Sequence, residues 1–156
     1  MSICTFFGHR RIYEPIDNEL MLAITDMIVK NNVKRFYVGN HGDFDKHVLL
    51  CLKKLKLLFP DIEYFVVLAY MPTSSKREMY VDRENTVIPE GIEDTIPKFG
   101  IIKRNNWMID RSDYVITYVS HSGGAARFKE LSKKKGKSVV ELKDIDISQM
   151  KENIKT

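Results

Sequence analysis

The residues best suited to chemistry lie between positions 103 and 137, in KRNNWMIDRSDYVITYVSHSGGAARFKELSKKKGK. The pattern predicts a helix, a buried strand, a turn at Gly123 and Gly124, and a second helix. A strand that empties through two glycines into a helix turns backbone N–H groups and a positive dipole end toward one spot. Such a spot suits an anion, and phosphate above all. Arg104 falls near the start of the first helix and Glu130 inside the second. A guanidinium grips phosphate or carboxylate bidentately. A carboxylate can move a proton or stabilise a cationic sugar. Ser120 and Ser122 offer hydroxyls, and Asn105 can hydrogen-bond a ribose or a base. These residues point to a nucleotide site, hydrolytic if Glu130 takes part.

Two further glycine-bearing turns carry polar side chains. The first holds Gly8, His9 and Arg10, with Arg11 following; either arginine can face an anion. The second, GNHGDFD, starts at Gly39. Gly39 and Gly42 permit unusual dihedrals, Asn40 and His41 are candidate ligand contacts, and Asp43 or Asp45 is expected to cap the helix that follows. There is no P-loop, no nucleophile elbow and no strict G-x-G-x-x-G, which argues against an NTPase, a serine hydrolase and an ordinary dehydrogenase. The histidines and the two cysteines, Cys4 and Cys51, show no metal-ligand spacing. Neither a metal nor a resident cofactor is expected, and both cysteines read as buried free thiols.

These turns need elements to hold them. Strands are expected at residues 2–7, 35–38, 63–70, 114–119 and 138–142, with a short one near Thr86. Helices are expected at 17–31 (capped by Asp17), 45–59, 100–112 and 124–135, with Gly136 as a C-cap and a further short helix starting near Asp146. In the third helix Ile101, Ile102, Met108 and Ile109 form the buried stripe, with Arg104 at its edge. Trp107 belongs to the core or to a dimer interface. Residues 71–99 contain Pro72, Pro89 and Pro97 and read as a long loop able to cover a ligand. Strands alternate with helices, and the central strands are apolar without alternation. That is the signature of a single α/β domain, a three-layer α/β/α Rossmann-like fold with a mainly parallel sheet. Ligands then bind beyond the carboxyl ends of the strands, where all three glycine turns fall.

The chain has 156 residues, is 44% hydrophobic and 29% charged, and carries a net charge of +4. That balance fits a folded domain and excludes disorder. No apolar run reaches the roughly 20 residues of a membrane span, and the N-terminus lacks signal-peptide features, so the expected place is the cytoplasm. Basic residues cluster in the last third, around Lys133, Lys134 and Lys135. This is a solvated helix end, or a nucleic-acid surface without the aromatic ladder that single strands prefer.

The motifs FFGHR, VGNHGDFD, KRNNWMIDRSDYVI and SGGAARFKE, in this order and spacing, resemble the SLOG superfamily of Rossmann-like proteins. The likeness is greatest to its small stand-alone YpsA-like branch, related to the lonely-guy phosphoribohydrolases and to DprA. It covers about residues 2–142. The resemblance implies a nucleotide-type ligand, including ADP-ribose or NAD-related and cyclic-nucleotide signals, a part in conflict between bacteria and phage, and often a homodimer. By the resemblance to lonely-guy enzymes, Arg104 and Glu130 match the catalytic pair, and Gly123 and Gly124 match the glycine pair of P-G-G-x-G-T-x-x-E. Ser122, Ala126 and Arg127 replace the motif's proline, third glycine and threonine, and Asn105 replaces the lysine after the arginine. Three readings follow: a protein that senses or sequesters a nucleotide; a hydrolase of the N-glycosidic bond of a nucleoside monophosphate; and, as in DprA-like relatives, a binder of single-stranded nucleic acid.

Overall fold

Phe6 and Phe7 are neighbours on one strand and so face opposite sides of it, and each anchors one of two apolar cores. Phe6 stacks on Phe36 with ring centroids 6.1 Å apart, and Phe7 on Phe128 at 5.5 Å. The computed structural model describes residues 2–72 and 85–148. They form strands β1 (Ser2–Gly8), β2 (Val33–Val38), β3 (Glu63–Val67), β4 (Thr86–Val87), β5 (Tyr114–Tyr118) and β6 (Ser138–Glu141). The helices are α1 (Asp17–Val29), α2 (Gly42–Leu58), α3 (Gly100–Arg111) and α4 (Gly124–Lys134). Every strand pair is parallel, in the order β4-β3-β2-β1-β5-β6. Helices α1 and α2 cover the Phe6 face with Leu20, Ile24, Phe44 and Leu52, and α3 and α4 cover the Phe7 face with Met108, Ile109 and Phe128. This is the three-layer α/β/α Rossmann-like fold. Among the described residues, no helix is long and apolar enough to cross a membrane. Cys4 and Cys51 are buried free thiols.

Four expectations need correction. Asp17 does not cap α1; Ile16 occupies the cap position without a side-chain bond, and the Asp17 carboxylate instead reaches His47 on α2 at 2.9 Å. Strand β3 stops at Val67 rather than Tyr70. Its neighbour β4 offers only two paired residues, and beyond Leu68, whose N–H reaches Val87 O at 2.9 Å, the ladder has no partner among the described residues. Tyr64, Phe65 and Val66 are only half-buried. On α3, Ile102 is 39% exposed, whereas Arg104 is 3% exposed and sits with Asn105, Met108 and Ile109 in the middle of the buried face. Positions 104, 105, 108 and 109 share one side of a helix, and the first two face a polar cleft rather than the apolar core. Of the 71–99 stretch, residues 73–84 lie outside the described residues; the remainder holds the expected short strand, β4, and a 3₁₀ turn at Pro97–Phe99 that leads into α3. The helix expected from Asp146 lies mostly outside them too.

The register sets β1 and β5 level at their carboxyl ends, with Gly8 opposite Tyr118. Between these strands the chain order reverses, because β2, β3 and β4 all lie on the far side of β1. This is the topological switch point, where a crevice opens in folds of this kind.

Candidate functional site

A cleft of about 510 Å³ opens at that point. The turn after β1 supplies Gly8, His9, Arg10 and Arg11. The turn after β2 supplies Gly39 and His41, and the first turn of α2 supplies Asp45. Helix α3 supplies Arg104 and Asn105, and Gly123 and Gly124 close the ring from the start of α4. Residues up to 116 positions apart in sequence thus face one space.

The diglycine turn is bare. Gly123 is the N-cap of α4 with φ 144° and ψ −162°, a conformation that a side chain would strain. A Cβ placed on Gly123 or on Gly124 would meet nothing within 4 Å. Among the described residues, no side-chain cap bond occupies the N-terminus of α4.

Arg104 is fixed by its surroundings. Its Nε donates to Asn105 Oδ1 (2.9 Å). Its Nη1 reaches Asn40 Oδ1 (3.1 Å), the Val67 carbonyl (3.2 Å) and His41 Nδ1 (3.3 Å). Among the described residues its other terminal nitrogen, Nη2, has no partner, and no fully buried side-chain polar atom goes unpaired. Nη2 is thus not fully buried, and Arg104 lines the cleft. Burial lowers the Arg104 pKa, and the nearby Asp45 opposes that shift. Gly39 allows this packing: a Cβ there would stand 2.8 Å from Asp45 Oδ2 and 2.9 Å from Arg104 Cζ.

Asp45 departs from its expected role as a helix cap. His41 holds the cap position of α2, and its side chain makes no cap bond. Asp45 instead reaches back, with Oδ2 accepting the His41 backbone N–H at 3.0 Å. It does so from within the cleft, where burial raises its carboxyl to a pKa of about 6 against the opposing effects of that hydrogen bond and of Arg104. Asp43 does not cap either. Its Oδ2 accepts Ile12 N–H at 3.1 Å and its N–H donates to Arg10 O at 2.7 Å, joining the β1 and β2 turns. The sequence did carry a signal for Asp45. It shares a helix face with Val48 and Leu52, both fully buried, so a carboxylate stood on the inward side of α2.

Two histidines of the cleft, His41 and His9, have their pKa lowered. Burial, then Arg104 and Arg10, lower His41 to a pKa of about 4. Its Nδ1 faces a guanidinium that only donates, so the ring proton sits on Nε2. The Ser120 N–H donates to His9 Nε2 at 2.8 Å, which places the His9 proton on Nδ1. Burial and the neighbouring His121 lower His9 as well. The His9 and His121 rings stack at 3.7 Å, 6° from parallel, and so tie the β5–α4 turn to the end of β1.

Some expected residues fall elsewhere. Asn40 is exposed and does not line the cleft; its Oδ1 accepts from Arg104 Nη1 at 3.1 Å. Gly42 is a packing glycine with φ 89°, its missing Cβ 2.6 Å from Arg10 Cα. Ser122 is off the cleft, its carbonyl accepting from His121 Nδ1 at 2.9 Å. Glu130 does not line the cleft; its side chain is 64% exposed on the outer face of α4, 3.6 Å from Lys133. The lysine-rich end of α4 lies at the opposite end of that helix from the diglycine turn, and Lys135 pairs with Asp110. Sequence reasoning also passed over Tyr13, 86% exposed at the cleft, and His121 and Phe128 in its wall.

No family model matches the chain, and no curated protein matches it. The geometry of the cleft therefore stands by itself. Among the described residues no group of three His, Cys, Asp or Glu side chains is placed to hold a metal ion.

Proposed function

We propose that the cleft binds a phosphorylated nucleoside or an ADP-ribose-like or NAD-derived relative, and that the protein acts by sensing or sequestering it. One observation carries the reading: an open, glycine-built N-terminus of α4 shares a cleft with a buried arginine that keeps one N–H face free. Anions at a helix N-terminus gain roughly 0.3–1 kcal/mol from the dipole, and each hydrogen bond to a charged group adds about 1.5–3 kcal/mol. Arg10 and Arg11 at the rim add positive charge, against Asp45 as the one carboxylate among the described lining residues. The resemblance to SLOG proteins points the same way. Hydrolysis through Glu130 lacks such support, since that carboxylate stands outside the cleft.

The test is thermal denaturation with nucleoside monophosphates, ADP-ribose, NAD and inorganic phosphate. A true ligand at a hundredfold excess over its Kd stabilises by about 2.7 kcal/mol. Gly124→Ala places a methyl group in open space and leaves the fold intact. It should melt as the wild type does without ligand and lose most of the ligand-induced shift. The reading fails if none of these compounds raises the melting temperature at millimolar concentration.

A further inference from the structure

We propose that Asp45, beside Arg104, is the specificity residue that reads a sugar hydroxyl, so that the cleft selects a phosphorylated ribose over its hydroxyl-free analogues. The proposal rests on the phosphate reading of the diglycine turn, and it assigns the other end of the ligand. Asp45 Oδ2 is occupied by the His41 N–H, while Oδ1 has no partner among the described residues and, being in a cleft-lining carboxylate, is open to the cleft. Arg104 presents Nη2 to the same space. The two side chains both crowd the missing Cβ of Gly39, yet the hydrogen bonds of Arg104 go to Asn105, Asn40, His41 and the Val67 carbonyl rather than to Asp45. An acceptor and a donor that line one cleft and both approach Gly39 match a hydroxyl, which donates to one and accepts from the other.

A phosphate does not fit there. A carboxylate in this position repels a second anion, which leaves Arg104 to hydrogen-bond the sugar while the α4 amides take the phosphate. A neutral hydrogen-bonding group is therefore the complement at the β2 end, and the phosphate belongs at α4. Only β1 separates β2 from β5, so these two strand ends stand about 10 Å apart, two inter-strand spacings. That is the scale of a phosphorylated pentose with a hydrogen bond at each end. A base would extend past it toward the rim, where Tyr13 is exposed.

The experiment measures Kd for ribonucleoside 5′-monophosphates, their 2′,3′-dideoxy counterparts, ribose 5-phosphate and inorganic phosphate, with wild type and Asp45→Asn. The amide keeps an oxygen for the His41 N–H, and a melting temperature at or above wild type shows that the variant is folded. Expected for wild type is a tenfold or greater preference for the ribonucleotide, with ribose 5-phosphate bound better than phosphate alone. Asp45→Asn should lose that preference while still binding inorganic phosphate through the diglycine turn. Equal binding of ribo and dideoxy forms by wild type, or a preference that survives in Asp45→Asn, overturns the assignment while the nucleotide reading stands. Binding of no phosphorylated compound at all overturns both.

Discussion

Asp45 and Arg104 show the conflict between stability and use within single side chains. Holding a carboxyl at a pKa of about 6, above its ordinary value near 4, means that the folded protein binds the proton more tightly than the unfolded chain does. Stability from this group is therefore greatest below pH 4 and is lost as pH rises through 6. Asp45→Asn should accordingly stabilise the unliganded protein at pH 7, on the order of 1–3 kcal/mol, and give little gain at pH 4. Chemical denaturation of both proteins at the two pH values measures the difference. Arg104 behaves in the opposite way. Arg104→Met strips hydrogen bonds from Asn40, Asn105 and the Val67 carbonyl; leaving such groups unpaired costs about 1–3 kcal/mol each at most, and a drop in melting temperature should accompany any loss of ligand. Gly39→Ala should be destabilising by about 1–3 kcal/mol, because its methyl would overlap both Asp45 and Arg104.

At the scale of elements, α3 has two functions along one face. Met108 and Ile109 pack into the core beneath Phe7, and one turn earlier Arg104 and Asn105 line the cleft. Truncating Met108 to Ala should cost about 2–5 kcal/mol, whereas Ile102→Ser, on the outer side, should change stability by less than about 0.5 kcal/mol. Equilibrium unfolding distinguishes these, and a large loss from Ile102→Ser would mean that the helix is rotated from the position described. The stripe expected from the sequence included Ile102 and set Arg104 at its margin, because hydropathy assigns apolar side chains inward. A guanidinium satisfied by four neighbours and by a cleft breaks that rule, and no local signal reveals it. Helix α4 misleads similarly. Glu130 lies two turns beyond the glycines, and the sequence alone does not say whether that position turns toward the sheet's end or toward water; the packing of Phe128 on Phe7 turns it outward.

Across the whole molecule, the cleft exists because three strand-to-helix turns converge at one edge of the sheet. A ligand spanning it should slow backbone hydrogen exchange together in the turns after β1, β2 and β5, and leave the opposite edge unchanged. Exchange measured with and without the ligand found by thermal shift tests this, and protection confined to the lysine-rich end of α4 would place the contact elsewhere. The alternation of strands and helices, the diglycine turn and the gathering of the glycine turns at the carboxyl edge of the sheet were all legible in the chain, because apolar runs, helix periodicity and glycine signals are local properties. The partnership of Arg104 with Asp45, and the exclusion of Glu130 and Ser122, were decided only by the tertiary structure. They depend on β1 lying between β2 and β5, and on the rotation of each helix against the sheet, and both arise from contacts between residues far apart in the sequence.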